Sequence, residues 1–237
     1  MTATLAALLF AHALADFILQ TNWIAANKRL PQAMALHGLA VLVTAILATG
    51  APSLWLVALT LVHLAIDAVK SRLPARGVAP FLADQAAHLA SVLAVAALAP
   101  DLWASGLWAS LPHLAPVMAL AAGLILVTRA GGFAVGLLME PWAAEAPSGL
   151  PGGGRMIGIL ERGLIFTLLL TGQAQGIGYL VAAKSVLRFG AVANESKLSE
   201  YVIIGTLASV FWAIGIAAGI SVLLHTLPPL GIPDLTP

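Results

Sequence analysis

Residues 54–71 read LWLVALTLVHLAIDAVKS, and this stretch sets the class of the whole chain. Its only charged side chains, Asp67 and Lys70, lie near one end. As a helix rising 1.5 Å per residue it would present roughly 27 Å of mostly apolar surface, close to the roughly 30 Å hydrocarbon core of a bilayer. A helix also satisfies its own backbone groups, which lipid cannot do. Similar runs occupy 4–20, 32–48, 80–99, 114–139, 156–171, 177–189 and 201–224, so the expectation is about eight membrane spans.

Composition agrees with that reading. Of 237 residues, 60% are hydrophobic and only 9% charged, with a mean hydropathy of +0.99. Soluble domains carry about 25% charged residues, so an ordinary globular or disordered chain is excluded. The apolar runs are near 20 residues long and rich in Ala and Leu, whereas barrel strands are segments of about 10 alternating residues. The expected fold is therefore all-α, a polytopic transmembrane helix bundle. No cysteine is present, so neither a disulfide framework nor a thiolate metal site is available. A net charge of +1 implies no nucleic-acid partner, and the partner expected first is the lipid bilayer. The first apolar run precedes the first basic residue, Lys28, and so lacks the positive leader of a signal peptide. It is read as a retained span.

The organisation expected is a four-span bundle at 1–100, an interfacial segment at 101–113, a second membrane half of about four spans at 114–227, and a disordered tail at 228–237. The segment beginning DLWASGLWASLP is short and tryptophan-rich, which suits the half-wet headgroup region. Alternating the eight spans places all eleven Lys and Arg in or near loops on one side. Segments 50–53, 100–113 and 172–176, on the other side, contain none. Basic loops stay in the cytoplasm, so a multi-pass protein of the bacterial inner membrane with both termini on the periplasmic side is expected. Glycines at small-residue spacing, as in Gly215-x-x-x-Gly219, suit helix packing or a homo-oligomer interface.

Charged groups within a bilayer cost at least a few kcal/mol and need a partner or a role. Three pairs stand out: His12-x-x-x-Asp16, His63-x-x-x-Asp67 and Asp84-x-x-x-His88. A spacing of four puts each pair on one helix face. The first two sit on spans running toward the basic side and read His then Asp, while the third runs away from it and reads Asp then His. Reversing direction and order together keeps the three carboxylates at one depth, roughly 6 to 8 Å inside the basic end, with the imidazoles one turn deeper. His37, on the remaining span of the first half, falls between those layers. Packing alone explains a single buried His; three matched pairs point to a shared site. Neutral imidazole and carboxylate are ligands for a divalent ion such as Zn, Mn or Fe(II), with Zn or Mn the ions expected. The candidate ligands are His12, Asp16, His37, His63, Asp67, Asp84 and His88. Asp67, Asp84 and Gln20 are candidates for the catalytic groups, and Gln85 adjoins Asp84. In the second half, Arg129, Glu161, Arg162, Lys184 and Arg188 form a candidate cluster for an anionic group, or an internal ion-pair network.

The run HALADFILQTNWIAANK from His12 to Lys28, His37, the run LVHLAIDAVKSRL from Leu61 to Leu73 and DQAAH from Asp84 to His88 resemble the bacterial membrane family called domain of unknown function 3307, DUF3307. The resemblance covers the first 100 or so residues, and its defining positions are His12, Asp16, Gln20, His37, His63, Asp67, Asp84, Gln85 and His88. IGILERGL from Ile157 and AAKSVLRFG from Ala182 look like the extension of longer members. A weaker similarity is to inner-membrane proteins described as metal-dependent hydrolases. The function expected is a metal-dependent hydrolase acting on a lipid-linked or amphiphilic substrate from the cytoplasmic side. The alternatives are a divalent-metal or proton-coupled transporter or channel, and a non-catalytic membrane scaffold.

Overall fold

The computed structural model describes residues 1–73, 76–146, 150–192 and 196–230, with side chains omitted at 187–192. These residues are helical almost throughout. Helix α1 (Thr2–Leu14) runs into a π-helical turn at Ala15–Leu19, and short α2 (Asn22–Ala26) leads to α3 (Pro31–Thr49), α4 (Leu54–Arg72) and α5 (Val78–Leu98). Then come α6 (Leu114–Ile125), a second π turn (Leu126–Ala130), α7 (Gly131–Met139) and a 3-10 turn (Glu140–Glu145). The chain closes with α8 (Gly153–Leu170), α9 (Gln175–Val192) and α10 (Ser196–His225).

Among the described residues, six helical stretches are long and apolar enough to cross a membrane: Thr2–Leu19, Pro31–Thr49, Leu54–Arg72, Val78–Leu98, Leu114–Glu145 and Ser196–His225. This corrects the expected eight. The runs at 156–171 and 177–189 do fold as helices, α8 and α9, but neither is among those six stretches. Arg155, Glu161 and Arg162 interrupt α8, and Gln175, Lys184 and Arg188 interrupt α9. The result is a multi-pass membrane protein, all-α.

The described residues divide into two compact units, Met1–Ile125 with Val222–Leu230, and Leu126–Ser221. In the first unit α1 is central, packing on α3, α5 and α6, while α4 bridges α3 and α5. The sequence explains why α1 takes this place. Ala6, Ala7, Ala11 and Ala13 are all buried on it, and Ala115, Ala119 and Ala122 are buried on α6. Small side chains let helix backbones approach closely where lipid offers no hydrophobic drive to assembly.

Local signals set the ends. The Thr21 side chain caps α2 by accepting from Ile24 N at 3.2 Å, and Pro31 opens α3 at a position where no amide is needed. Gly50 ends α3 in the left-handed region at φ 72°. Its carbonyl accepts from Leu107 N at 3.0 Å, and Trp108 Nε1 donates to Leu47 O at 2.7 Å. Segment 101–113 thus forms turns folded onto the end of α3, supplying donors to carbonyls in the region where helical partners run out.

Candidate metal centre

Helices α1, α3, α4 and α5 bring the seven candidate ligands of the first half to one place. His12 lies on α1, Asp16 in the π turn that follows, His37 on α3, His63 and Asp67 on α4, and Asp84 and His88 on α5. All seven are buried. A π turn carries one extra residue, here closed by Gln20 N on Ala15 O at 2.9 Å, and such turns recur at functional sites.

The imidazoles pack against one another, His12 stacked on His88 and His63 tilted against both His37 and His88. Ring centroids of His63 and His88 are 4.1 Å apart, those of His37 and His63 5.1 Å, and those of His12 and His88 5.5 Å. His37 Nε2 meets His63 Nε2 at 3.0 Å, so one of the two donates and the other accepts. Three overlapping groups each offer ligand atoms within 4.8 Å of one another: His12, Asp16 and His63; His37, His63 and Asp67; Asp67, Asp84 and His88. Buried His/Asp groups that can hold a metal ion are therefore present.

Each carboxylate divides its two oxygens. Asp67 Oδ1 accepts from Lys28 Nζ at 2.6 Å, while Oδ2 lies 3.1 Å from His37 Nε2 and 3.7 Å from His63 Nε2 and makes no hydrogen bond. Asp84 Oδ2 accepts from Lys70 Nζ at 2.6 Å and from Gln85 Nε2 at 3.1 Å, leaving Oδ1 without one. Asp16 Oδ1, also without a hydrogen bond, lies 3.2 Å from His63 Nε2 and 3.6 Å from His37 Nε2. The 3.2 Å contact has the distance but not the alignment of a hydrogen bond, and the 3.6 Å contact is too long for one.

His88 is the most defined of the histidines. Its Nδ1 sits 2.9 Å from the backbone oxygen of Asp84. A carbonyl only accepts, so Nδ1 carries the proton and Nε2 presents a lone pair. That Nε2 is buried with no partner, as are His12 Nδ1, His37 Nδ1 and Gln20 Oε1.

Lys28 and Lys70 escaped the reading of the sequence. Lys70 follows Asp67 by three residues on α4, which hinted at a role, yet it pairs with Asp84 across the helix interface. Lys28 gave no signal, because it reaches Asp67 only through the fold of the loop carrying α2.

In the second unit the candidate anion-binding residues are occupied differently. Arg162 is buried and donates to backbone oxygens of the second π turn, Nε to Val127 O at 2.8 Å and an Nη to Thr128 O at 3.0 Å, with Ser209 Oγ at 3.3 Å from the other Nη. Burial lowers its pKa from the usual value, opposed by nearby Glu161. Glu161 accepts from Lys184 Nζ at 2.7 Å. Arg129 is exposed, and the Arg188 side chain lies outside the described residues.

Residues 4–111 match DUF3307, a family described as protein of unknown function. The matched segment contains the four helices and both lysines of the cluster. No curated protein and no solved structure matches the chain, so the similarity to hydrolases gains no named relative.

Proposed function

We propose that the first unit holds a divalent metal ion, Zn or Mn, and uses it for hydrolysis of an amphiphilic substrate. The observation that carries this reading is His88, whose proton is fixed on Nδ1 by the Asp84 carbonyl while its Nε2 lone pair stays buried and unpartnered. Metal-binding histidines are commonly oriented by such a second hydrogen bond to a carbonyl or carboxylate. Asp67 and Asp84, each tethered to a lysine through one oxygen, would offer the other to the ion. A bound dication would supply Lewis acidity and an acidified water.

Charge supports a single ion. With neutral imidazoles, three carboxylates against two lysines leave one negative charge, which one dication turns into one positive. That balance suits an anionic substrate.

A proton or metal pathway is the second reading, favoured by the shared proton between His37 and His63. Toward the far side of the first unit, however, the hydroxyls serve their own helices. Thr44 donates to Ala40 O at 2.8 Å, Thr49 to Ala45 O at 2.8 Å and Thr60 to Leu56 O at 2.8 Å. This leaves no evident polar relay from the cluster to the opposite surface among the described residues.

The test is elemental analysis of the detergent-purified full chain, before and after chelation and re-equilibration with Zn or Mn. About one ion per chain is expected in the wild type, with affinity at least 10- to 100-fold weaker in His88→Gln. Hydrolysis of a panel of short-chain amphiphilic esters and phosphoesters should require that ion. A wild type that takes up neither metal, or turnover indifferent to chelator, overturns the proposal.

A further inference from the structure

A cavity of about 480 Å³ opens between the loop before α3 and the end of α4, and Lys28, Arg29, Pro31, Met34, Ala68, Ser71 and Arg72 line it. Three of these are cations and none is acidic. Arg29 Nε donates to Ser71 O at 2.9 Å, and Arg72 Nη1 donates to Ala68 O at 2.9 Å. Each guanidinium is thus anchored by one nitrogen, and its five N–H donors leave the others for a ligand. Anchoring lowers the ordering cost of gripping an anion, and the planar fork matches phosphate oxygens. The rest of the wall, Pro31, Met34 and Ala68, is apolar. Exposed Leu30 and Leu73 neighbour the lining residues in sequence, at 43% and 57% exposure, and would lie against acyl chains.

Lys28 belongs to both places. It lines the cavity and holds Asp67 Oδ1 at 2.6 Å, so an anion in the cavity would sit one side chain away from the carboxylate cluster.

We propose that this cavity binds the phosphate group of an amphiphile, with Arg29 and Arg72 gripping the phosphate and Lys28 joining it to the His/Asp cluster. For its reaction the proposal rests on the metal-hydrolase reading and names that enzyme's substrate class. Binding itself rests only on the cavity.

The experiment titrates the full chain in dodecylmaltoside with dioctanoyl phosphatidate, inorganic phosphate and dioctanoylglycerol, each in chelator-treated and in zinc-equilibrated protein. Saturable binding of phosphatidate is expected in both preparations, weaker binding of phosphate, and none of dioctanoylglycerol. Arg29→Gln and Arg72→Gln should each weaken phosphatidate about tenfold, the loss of one charge-assisted contact. Arg29→Lys should lose part of that affinity, since it keeps the charge without the fork. Arg155→Gln, a charge-matched change at an exposed site on α8, should leave binding unchanged. All the substituted residues are exposed, so the variants should elute as the wild type does. Equal binding of phosphate and phosphatidate would overturn the amphiphile and assign a soluble phosphate. No saturable binding, or equal losses in the Arg155 variant, would overturn the cavity as an anion site. A protein that binds zinc but not phosphatidate loses only this proposal, and one that binds phosphatidate but no metal loses only the metal centre.

Discussion

Replacing Asp67 by Asn separates a metal centre from a polar layer that merely packs. The carboxylate is 1% exposed, and its lysine partner is 14% exposed at 2.6 Å. Removing one member of a buried pair costs about 3 to 5 kcal/mol, because the other charge stays behind uncompensated. Lys28 can stretch toward the basic surface and Asn still offers it an oxygen, so the low end, about 3 kcal/mol, is expected in metal-free protein. Metal then adds a second term. At a free concentration 100 times its Kd, an ion that binds only the folded protein stabilises it by about 2.7 kcal/mol. If losing the inward oxygen of Asp67 weakens binding 100-fold, the variant gains only about 0.4 kcal/mol at the same concentration. The gap between wild type and variant should therefore widen from about 3 to about 5 kcal/mol when metal is supplied. The six tryptophans give an intrinsic fluorescence signal for denaturation of the micelle-bound chain, with chelator and with Zn or Mn. Lys28→Met/Asp67→Leu should recover most of the metal-free loss, since a well-packed apolar pair can replace a buried ion pair, while gaining nothing from metal. A gap that metal does not widen would refute the assignment of Asp67 as a ligand.

Other expectations follow from the spans, the second π turn and the outlying histidines. A reporter fused after Gln173 should read the same side as fusions after Arg76 and at Gly152, because α8 and α9 are not counted among the spans; an opposite reading would restore two crossings. A fusion at Ser105 should read the other side. Arg162→Lys should destabilise by about 2 kcal/mol in the same denaturation assay, because a point charge cannot reach both Val127 O and Thr128 O as the fork does; wild-type stability would mean those carbonyls need no donor. His113→Gln and His225→Gln should leave metal content unchanged by elemental analysis, and loss of metal in either would place a ligand outside the cluster.

The matched pairs were legible because a spacing of four within one helix fixes a shared face, and because successive antiparallel spans reverse the order in which the chain meets each depth. Depth follows from those two rules without any knowledge of packing. The lysines were hidden for the complementary reason. Lys70 and Asp84 lie 14 residues apart in sequence, and only the rotation of α4 against α5 makes them partners. Lys28 depends on α2, five residues long, turning the chain back over α4. Helicity at 156–171 and 177–189 was likewise readable from apolar content, but crossing depends on how many charges fall within the run. Arg162 suggested anion binding because nothing in the sequence reveals that a π turn lies opposite it and exposes two carbonyls.

The distribution of unsatisfied atoms bears most directly on what the polar layer is for. Folded chains leave few buried polar atoms without partners, and a layer selected only to fix helix packing would satisfy its members. Among the described residues, every buried side-chain nitrogen or oxygen without a hydrogen bond belongs to His12, Asp16, Gln20, His37, Asp67, Asp84 or His88. The rest of the polar interior is accounted for, with threonines on their own helices and Arg162 on the π turn. Lys28 and Lys70 each hold one oxygen of a carboxylate that would otherwise be too costly to ionise in lipid, and in doing so leave the second oxygen facing imidazoles. An arrangement that stabilises the charges yet leaves their inward lone pairs open is difficult to maintain for packing alone, since protonation or a neutral residue would be less costly. It is what a bound cation would complete.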